Sequence, residues 1–368
     1  MADNKIVTTP PSLQRSSGQN RIIGLDLLRV LLAFLIFLYH SRIHIQCDYG
    51  ILNALVNNGH IIAMTAFFML SGYSLVISNG NKEYQLKSET RSFFKKRFIS
   101  IYPLYFTVGV LSVIFLCAVG AQKVVDNLIL LPVEALCLQS FYDSLFFYAH
   151  NNGTWFISCL VFCYFLFPWL ILLFRQWDTT TKVSAVILLV LLLSYFPYVA
   201  DRFNTASIYT DPFFRLLEFS TGMLIAMINK STSNGNSRLL KLIRTPVSLV
   251  ISLVLLFVGV SRLSSNSLYY QWLPIVLFTP ALFSAGHIKF SAASNNKVLL
   301  YLSSVSYAFF LGQILVWLPL RIITHHYSTF FSNIILILLS LSLCFILAVV
   351  LHELIEKPAS RWLKDKLG

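Results

Sequence analysis

The chain has 368 residues, 57% of them apolar and 12% charged, with a formal net charge of +13. A soluble domain carries about 25% charged residues, so this composition excludes a soluble enzyme and requires most of the chain to meet lipid or other membrane helices. The positive charge does not point to nucleic acid, because the basic residues fall in short segments between apolar runs and form no continuous face.

Residues 1–20 are polar, contain Pro10-Pro11 and a Ser-Gly stretch, and lack the apolar core and cleavage site of a signal peptide. They read as a disordered cytoplasmic tail, which leaves residues 21–368 as a single membrane domain. Apolar spans follow at about 22–44, 59–78, 99–119, 154–174, 183–200, 212–229, 246–262, 268–286, 299–320 and 331–352. The pattern predicts an all-α polytopic membrane protein of about ten helices, with both termini on one side. When that side is the cytoplasm, 21 of the 28 Lys and Arg residues lie in inner segments, as the positive-inside rule requires. The apolar run 128–138 is short for a span and holds Pro132 and Glu134, so it reads as an interfacial or re-entrant piece over the outer mouth. The six cysteines show no metal-ligand spacing, and five read as small core residues.

The first span, RIIGLDLLRVLLAFLIFLYHSRIHI, keeps Asp26, Arg29 and His40. Eleven helical steps bring His40 back to within ~20° of the Arg29 face, ~16 Å further along, with Asp26 one turn before it. Ionisable groups inside a span normally face the bundle interior or a wet cavity, since exposure to lipid costs about 2.5–3.5 kcal/mol each on the mildest scale. His40 is therefore a candidate general base, Arg29 a candidate binder of phosphate or developing negative charge, and Asp26 the group that holds Arg29. The structural alternative is an interfacial Asp26–Arg29 pair with His40 as a polar end residue.

Later spans add weaker candidates. Ser71-Gly72 in FFMLSGYSL permits a close helix approach or a ligand contact. Lys95, Lys96 and Arg97 before IYPLYF form a basic cluster at a helix start, suited either to phosphate or to positive-inside anchoring. Trp155 could line a pocket or simply pack. Arg215 and Glu218, one turn apart, read first as a structural ion pair, placed near enough to the outer mouth to meet an acceptor. The adjacent His325 and His326 diverge on a helix and make a poor metal pair.

Taken together, these stretches resemble the membrane acyltransferase family 3, whose members modify bacterial surface carbohydrates. Arg29 and His40 in LDLLRVLLAFLIFLYH match its basic-x10-His signature, and FFMLSGYSL its second-helix motif. KRFISIYPLYF, TWFISCLVFCYFLFP, RLLEFSTGMLIA and SVSYAFFLGQILV resemble further motifs in the expected order, over residues 21 to about 364. The resemblance implies a ten-helix bundle that takes an acyl group, usually acetyl, from cytoplasmic acyl-CoA and delivers it to a sugar hydroxyl at the outer side. Acyl-CoA is then a co-substrate and no metal or other cofactor is expected. The acceptor would be a lipid-linked glycan such as O-antigen, capsule or exopolysaccharide, and the location a bacterial inner membrane among its lipids. By position His40 would be the catalytic histidine with Arg29 beside it, and Arg97, Tyr102 and Tyr105 would fall where CoA phosphates are held.

Three positions depart from the family pattern. Leu160 stands where many members carry a glutamate, Gln313 replaces a late-helix histidine, and Ser100 replaces a second arginine. A transporter or flippase remains the rival class, although paired Gly/Pro-broken helices are lacking. A member that has lost activity and serves as a binding subunit is the third.

Overall fold

A computed structural model describes residues 22–79, 88–120, 124–142, 145, 148–202, 208–233, 235, 238–262, 273–288, 297–326 and 332–367. The expected tail at 1–20 lies outside the described residues, as do Lys82, Lys87, Lys123 and Lys289. The chain is a helical bundle, with no strand among the described residues. Its helices are α1 (Ile23–Ile45), α2 (Asn53–Asn79), α3 (Ser88–Ala118), α4 (Val124–Ala135), α5 (Trp155–Gln176), α6 (Thr179–Arg202) and α7 (Pro212–Ser231). They continue as α8 (Arg238–Ile243), α9 (Pro246–Ser261), α10 (Leu273–Ala285), α11 (Lys297–His326), α12 (Asn333–Leu351) and α13 (Lys357–Leu367).

Seven helical segments are long and apolar enough to cross a membrane. The other three expected spans coincide with α7, which carries Arg215, Glu218 and Lys230, and with the shorter apolar helices α9 and α10. In its described residues each of the ten apolar runs therefore coincides with a helix, and the protein is an all-α, multi-pass membrane protein. Most of α2 is buried, whereas α3, α6 and α12 turn most of their surface outward. Hence α2 is the axis of the bundle.

Two glycines let α7 lie against that axis. A Cβ on Gly72 of α2 would stand 2.1 Å from the Phe219 carbonyl oxygen, and one on Gly222 of α7 would stand 1.9 Å from that of Met69. Neither backbone can give way, so the Ser71-Gly72 motif serves a close helix crossing, as small residues do in membranes. Next to the crossing, Arg215 and Glu218 are sealed in at zero exposure.

The side chains on α1 fix its neighbours. Asp26, His40 and His44 meet Ser303, Gln313 and Trp317 in the same order, so α1 and α11 run parallel. Arg29 and Tyr39 meet Ser74 and His60, so α2 runs antiparallel to both.

Two boundaries differ from the sequence expectation. Helix α3 begins at Ser88, so Lys95, Lys96 and Arg97 sit two turns inside it, where the amides are already paired, and not at a helix start. At the other end, α12 continues through a π turn, His352–Glu356, into the amphipathic α13. Lys95 Nζ donates to the Leu367 carbonyl and Ser360 Oγ to that of Ile99, which ties α13 to α3.

The segment after α3 is re-entrant. Tyr102 and Tyr105, well before the end of α3, donate to the carbonyls of Ala135 and Glu134 at the end of α4. At ~1.5 Å per residue, this places the end of α4 roughly 20 Å back along α3. The chain then returns through residues held by Ser140 Oγ on the Trp155 carbonyl and Gln139 Nε2 on that of Thr154. This fold-back carries Asn151, Asn152 and Gly153 to the face of His40.

Candidate active site

The polar stripe of α1 opens into two cavities. At the inner end Arg29 donates Nη1 to Asp26 at 3.0 Å and Nη2 to Ser74 at 2.7 Å. Asp26, 1% exposed, also accepts from Ser303 Oγ at 2.7 Å, so three helices hold the Arg29 guanidinium in place. The Arg29 side chain retains 34% of its exposure. It lines a cavity of about 480 Å³ with Ser71, Ser74, Arg97, Leu160, Tyr164, Ser303, Tyr307 and Glu356. Arg97 packs its guanidinium 5.7 Å from the Phe93 ring and 5.9 Å from the Tyr164 ring, and its buried Nε has no partner. The π turn of His352–Glu356 brings Glu356 into this wall, and His352 Nδ1 engages it at 2.7 Å. Extra-wide helical turns of this kind often sit at functional sites.

At the outer end His40 lines a second cavity, of about 460 Å³, with Tyr39, His44, His150, Asn151, Asn152, Trp317 and Arg321. Its Nδ1 lies 2.9 Å from Gln313 Oε1, and the Trp317 indole N–H donates to the same oxygen at 3.4 Å. His150 is buried 2.5 Å from the Glu134 carboxylate of α4, which fixes the returning loop.

Phe310 lines both cavities. Its ring packs 6.3 Å from Phe67 and 5.3 Å from Phe156, both of which line the inner cavity. The basic pocket and the histidine pocket thus meet at one aromatic cluster, midway along α1.

The structure brings together Asp26, Arg29, Ser71 and Arg97 at the inner cavity and places His40 at the outer one. It does not bring the remaining candidates there. Lys96 is exposed on α3. Tyr102 and Tyr105 turn away from the Arg29 cavity, because their hydroxyls are spent on holding α4. Arg215 and Glu218 line neither cavity; Arg215 donates to Glu218 at 2.7 and 2.8 Å and to the Tyr209 carbonyl, with Trp155 5.4 Å beneath it. Trp155 therefore packs against this buried cation and lines neither cavity.

Sequence reasoning passed over Ser74, Ser303, Trp317, Arg321, Asn151 and Glu356. A signal existed on α11, where Ser303, Ser306, Phe310, Gln313, Trp317 and Arg321 recur every three or four residues and form one stripe. Apart from Gln313, the stripe faces the two cavities in order from inner to outer.

These features define a polytopic membrane protein with a basic pocket and a histidine pocket placed end to end. The family described as an acyltransferase domain matches residues 22–353, and the chain belongs to that family, the membrane acyltransferase family 3. Comparison with curated proteins and with solved structures gave no significant match to either.

Proposed function

We propose that this membrane acyltransferase moves an acetyl group from acyl-CoA, entering from the cytoplasm, to a hydroxyl of a lipid-linked surface glycan at the outer face of a bacterial inner membrane. The observation that carries this reading is the pair of cavities on one helix: cationic at Arg29 and Arg97, histidine-lined at His40, with Phe310 in the wall of both. Two arginines suit the phosphates of CoA, and a pocket of about 480 Å³ suits the pantetheine arm and thioester. The outer pocket offers the half-buried aromatic face of Tyr39 and the exposed amide of Asn152, a mixture suited to a sugar.

In the transfer, His40 takes the proton of the attacking hydroxyl while its oxygen bonds to the acyl carbon. The C–S bond then breaks, and the CoA thiolate leaves with that proton. Because Leu160 occupies the wall where many relatives carry a carboxylate, no acid from α5 takes part.

The test is transfer of labelled acetyl from acetyl-CoA into membrane glycans, comparing wild type with His40→Ala at equal expression. General-base catalysis contributes about 10²–10⁴-fold, so the variant should lose at least about 10²-fold while still binding acetyl-CoA. Substantial activity in a folded His40→Ala protein removes His40 from the reaction. Absence of any acetyl-CoA binding by wild type removes the CoA reading altogether.

A further inference from the structure

We propose that Trp317 and Gln313 act as positioning residues that set the tautomer of His40, leaving Nε2 as the atom that takes the acceptor proton. The proposal rests on the assignment of His40 as the transfer base.

The donors and acceptors around a single oxygen fix the tautomer. Gln313 Oε1 lies 2.9 Å from His40 Nδ1 and 3.4 Å from Trp317 Nε1. An indole nitrogen only donates, so the glutamine atom that faces it is the oxygen and not the amide nitrogen. A carbonyl oxygen only accepts, so His40 Nδ1 must carry the ring hydrogen. The lone pair is then on Nε2, on a ring that lines the outer cavity.

Among the described residues no other hydrogen bond holds the amide in this orientation. Gln313 is 1% exposed, and its Nε2 is buried without a hydrogen-bond partner. Turned over, the amide would present its NH₂ to His40 Nδ1, move the ring hydrogen to Nε2 and remove the base. An asparagine in place of the aspartate of a serine-protease triad does this, and costs about 10⁴-fold in kcat. Here the indole prevents it. Trp317 is fully buried, 5.4 Å from the Phe37 ring and 6.1 Å from that of His44, so its N–H is itself aimed by packing. The chain thus obtains from an amide and an indole the orientation that other histidine bases take from a carboxylate.

Three variants in reconstituted vesicles decide the matter. Trp317→Phe keeps an aromatic ring and removes the N–H; kcat should fall about 10- to 100-fold with the KM for acyl-CoA unchanged. Adding Gln313→Glu should restore most of that loss, since a carboxylate has no donor side to turn. Gln313→Glu alone leaves Trp317 in place and should move the acid limb of the kcat profile to higher pH by stabilising the imidazolium. Nitrogen NMR of histidine-labelled protein, taken as a difference against His40→Ala, reads the tautomer whether or not the transfer assay succeeds. Wild type should show the Nδ1–H form, and Trp317→Phe a mixture. A Nε2–H ring in wild type, or a folded Trp317→Phe protein whose loss Gln313→Glu does not repair, overturns the proposal. Failure of His40→Ala to lower transfer would instead strike the parent assignment and leave the NMR result to decide the tautomer.

Discussion

Two acid–arginine pairs in this protein share their spacing and contact distance and differ in burial and surroundings. Asp26–Arg29 and Arg215–Glu218 both sit three residues apart on membrane helices, and both close at 3.0 Å or less. In the second pair both side chains are at zero exposure. Thr65 donates to the carboxylate, and four aromatic rings, those of Phe68, Trp155, Tyr209 and Phe214, lie 5.2–5.7 Å from the Arg215 guanidinium. In the first pair the acid is buried and doubly bonded, while the arginine keeps a third of its surface open to a cavity. A pair whose partners are all internal locks a fold. A pair whose acid is buried and whose cation lines a cavity leaves part of its charge facing that cavity.

Breaking the sealed pair should produce the largest effect. Removing one partner of a buried ion pair leaves an uncompensated charge and costs about 3–5 kcal/mol. Glu218→Ala should therefore reduce the yield of folded protein in detergent and lower its thermal midpoint, with loss of activity following loss of fold. Normal folding combined with a selective loss of acceptor use would make the pair part of the site after all.

The open pair should answer differently. Arg29→Ala should still fold, since Asp26 keeps its bond to Ser303, but with a thermal midpoint lowered by the buried carboxylate left without its cation. Loss of a charge-assisted contact to phosphate of about 1.4 kcal/mol raises the KM for acyl-CoA about tenfold. An unchanged KM would show that Arg29 does not face the donor. Asp26→Asn is the finer instrument: it leaves Ser303 and Ser74 in place and removes only the charge opposite Arg29. Exposed or half-exposed pairs are worth up to about 1 kcal/mol, so the shift in KM should be about threefold, measured in the same titration.

The difference between the pairs also marks what the sequence could tell. Spacing was enough to find the helices that carry the ten apolar runs, the α1 stripe and the Ser71-Gly72 approach, because these depend on periodicity and local composition. It read Arg215 and Glu218 first as a structural pair and Arg29 as a binder of phosphate, but could not supply the burial that separates them, which is set by which helices pack alongside. For the same reason Tyr102 and Tyr105 do not line the Arg29 cavity: their role depends on α4 folding back along α3, a tertiary event that no local pattern records. Gln313 was visible as a departure, yet its meaning required the Trp317 N–H one turn away and the parallel course of α1 and α11. Glu356 enters the inner cavity only through the π turn, which shifts its face relative to a regular helix.

The smallest effect expected lies at the outer mouth, where the loop after α1 is clamped by Asp48. Asp48 Oδ1 accepts from Asn53 Nδ2 at 2.5 Å and from the Gly50 amide at 3.0 Å, while Asn333 at the start of α12 bonds its backbone on both sides. The Asn53 amide and the Gly50 N–H, with Arg42 contributing, hold the carboxyl below the usual carboxylate range. A carboxyl whose folded value is depressed stabilises the loop above its unfolded value and loses that contribution as pH falls through the folded one. Protection of the Gly50 amide from hydrogen exchange should therefore exceed that in Asp48→Asn at neutral pH, and the two should converge below about pH 4. Because the carboxylate is solvent-exposed, the difference should be slight and should shrink with added salt. A gap between wild type and variant that persisted in acid would assign the clamp to the geometry of the Asn53 and Asn333 amides, with no part for the charge.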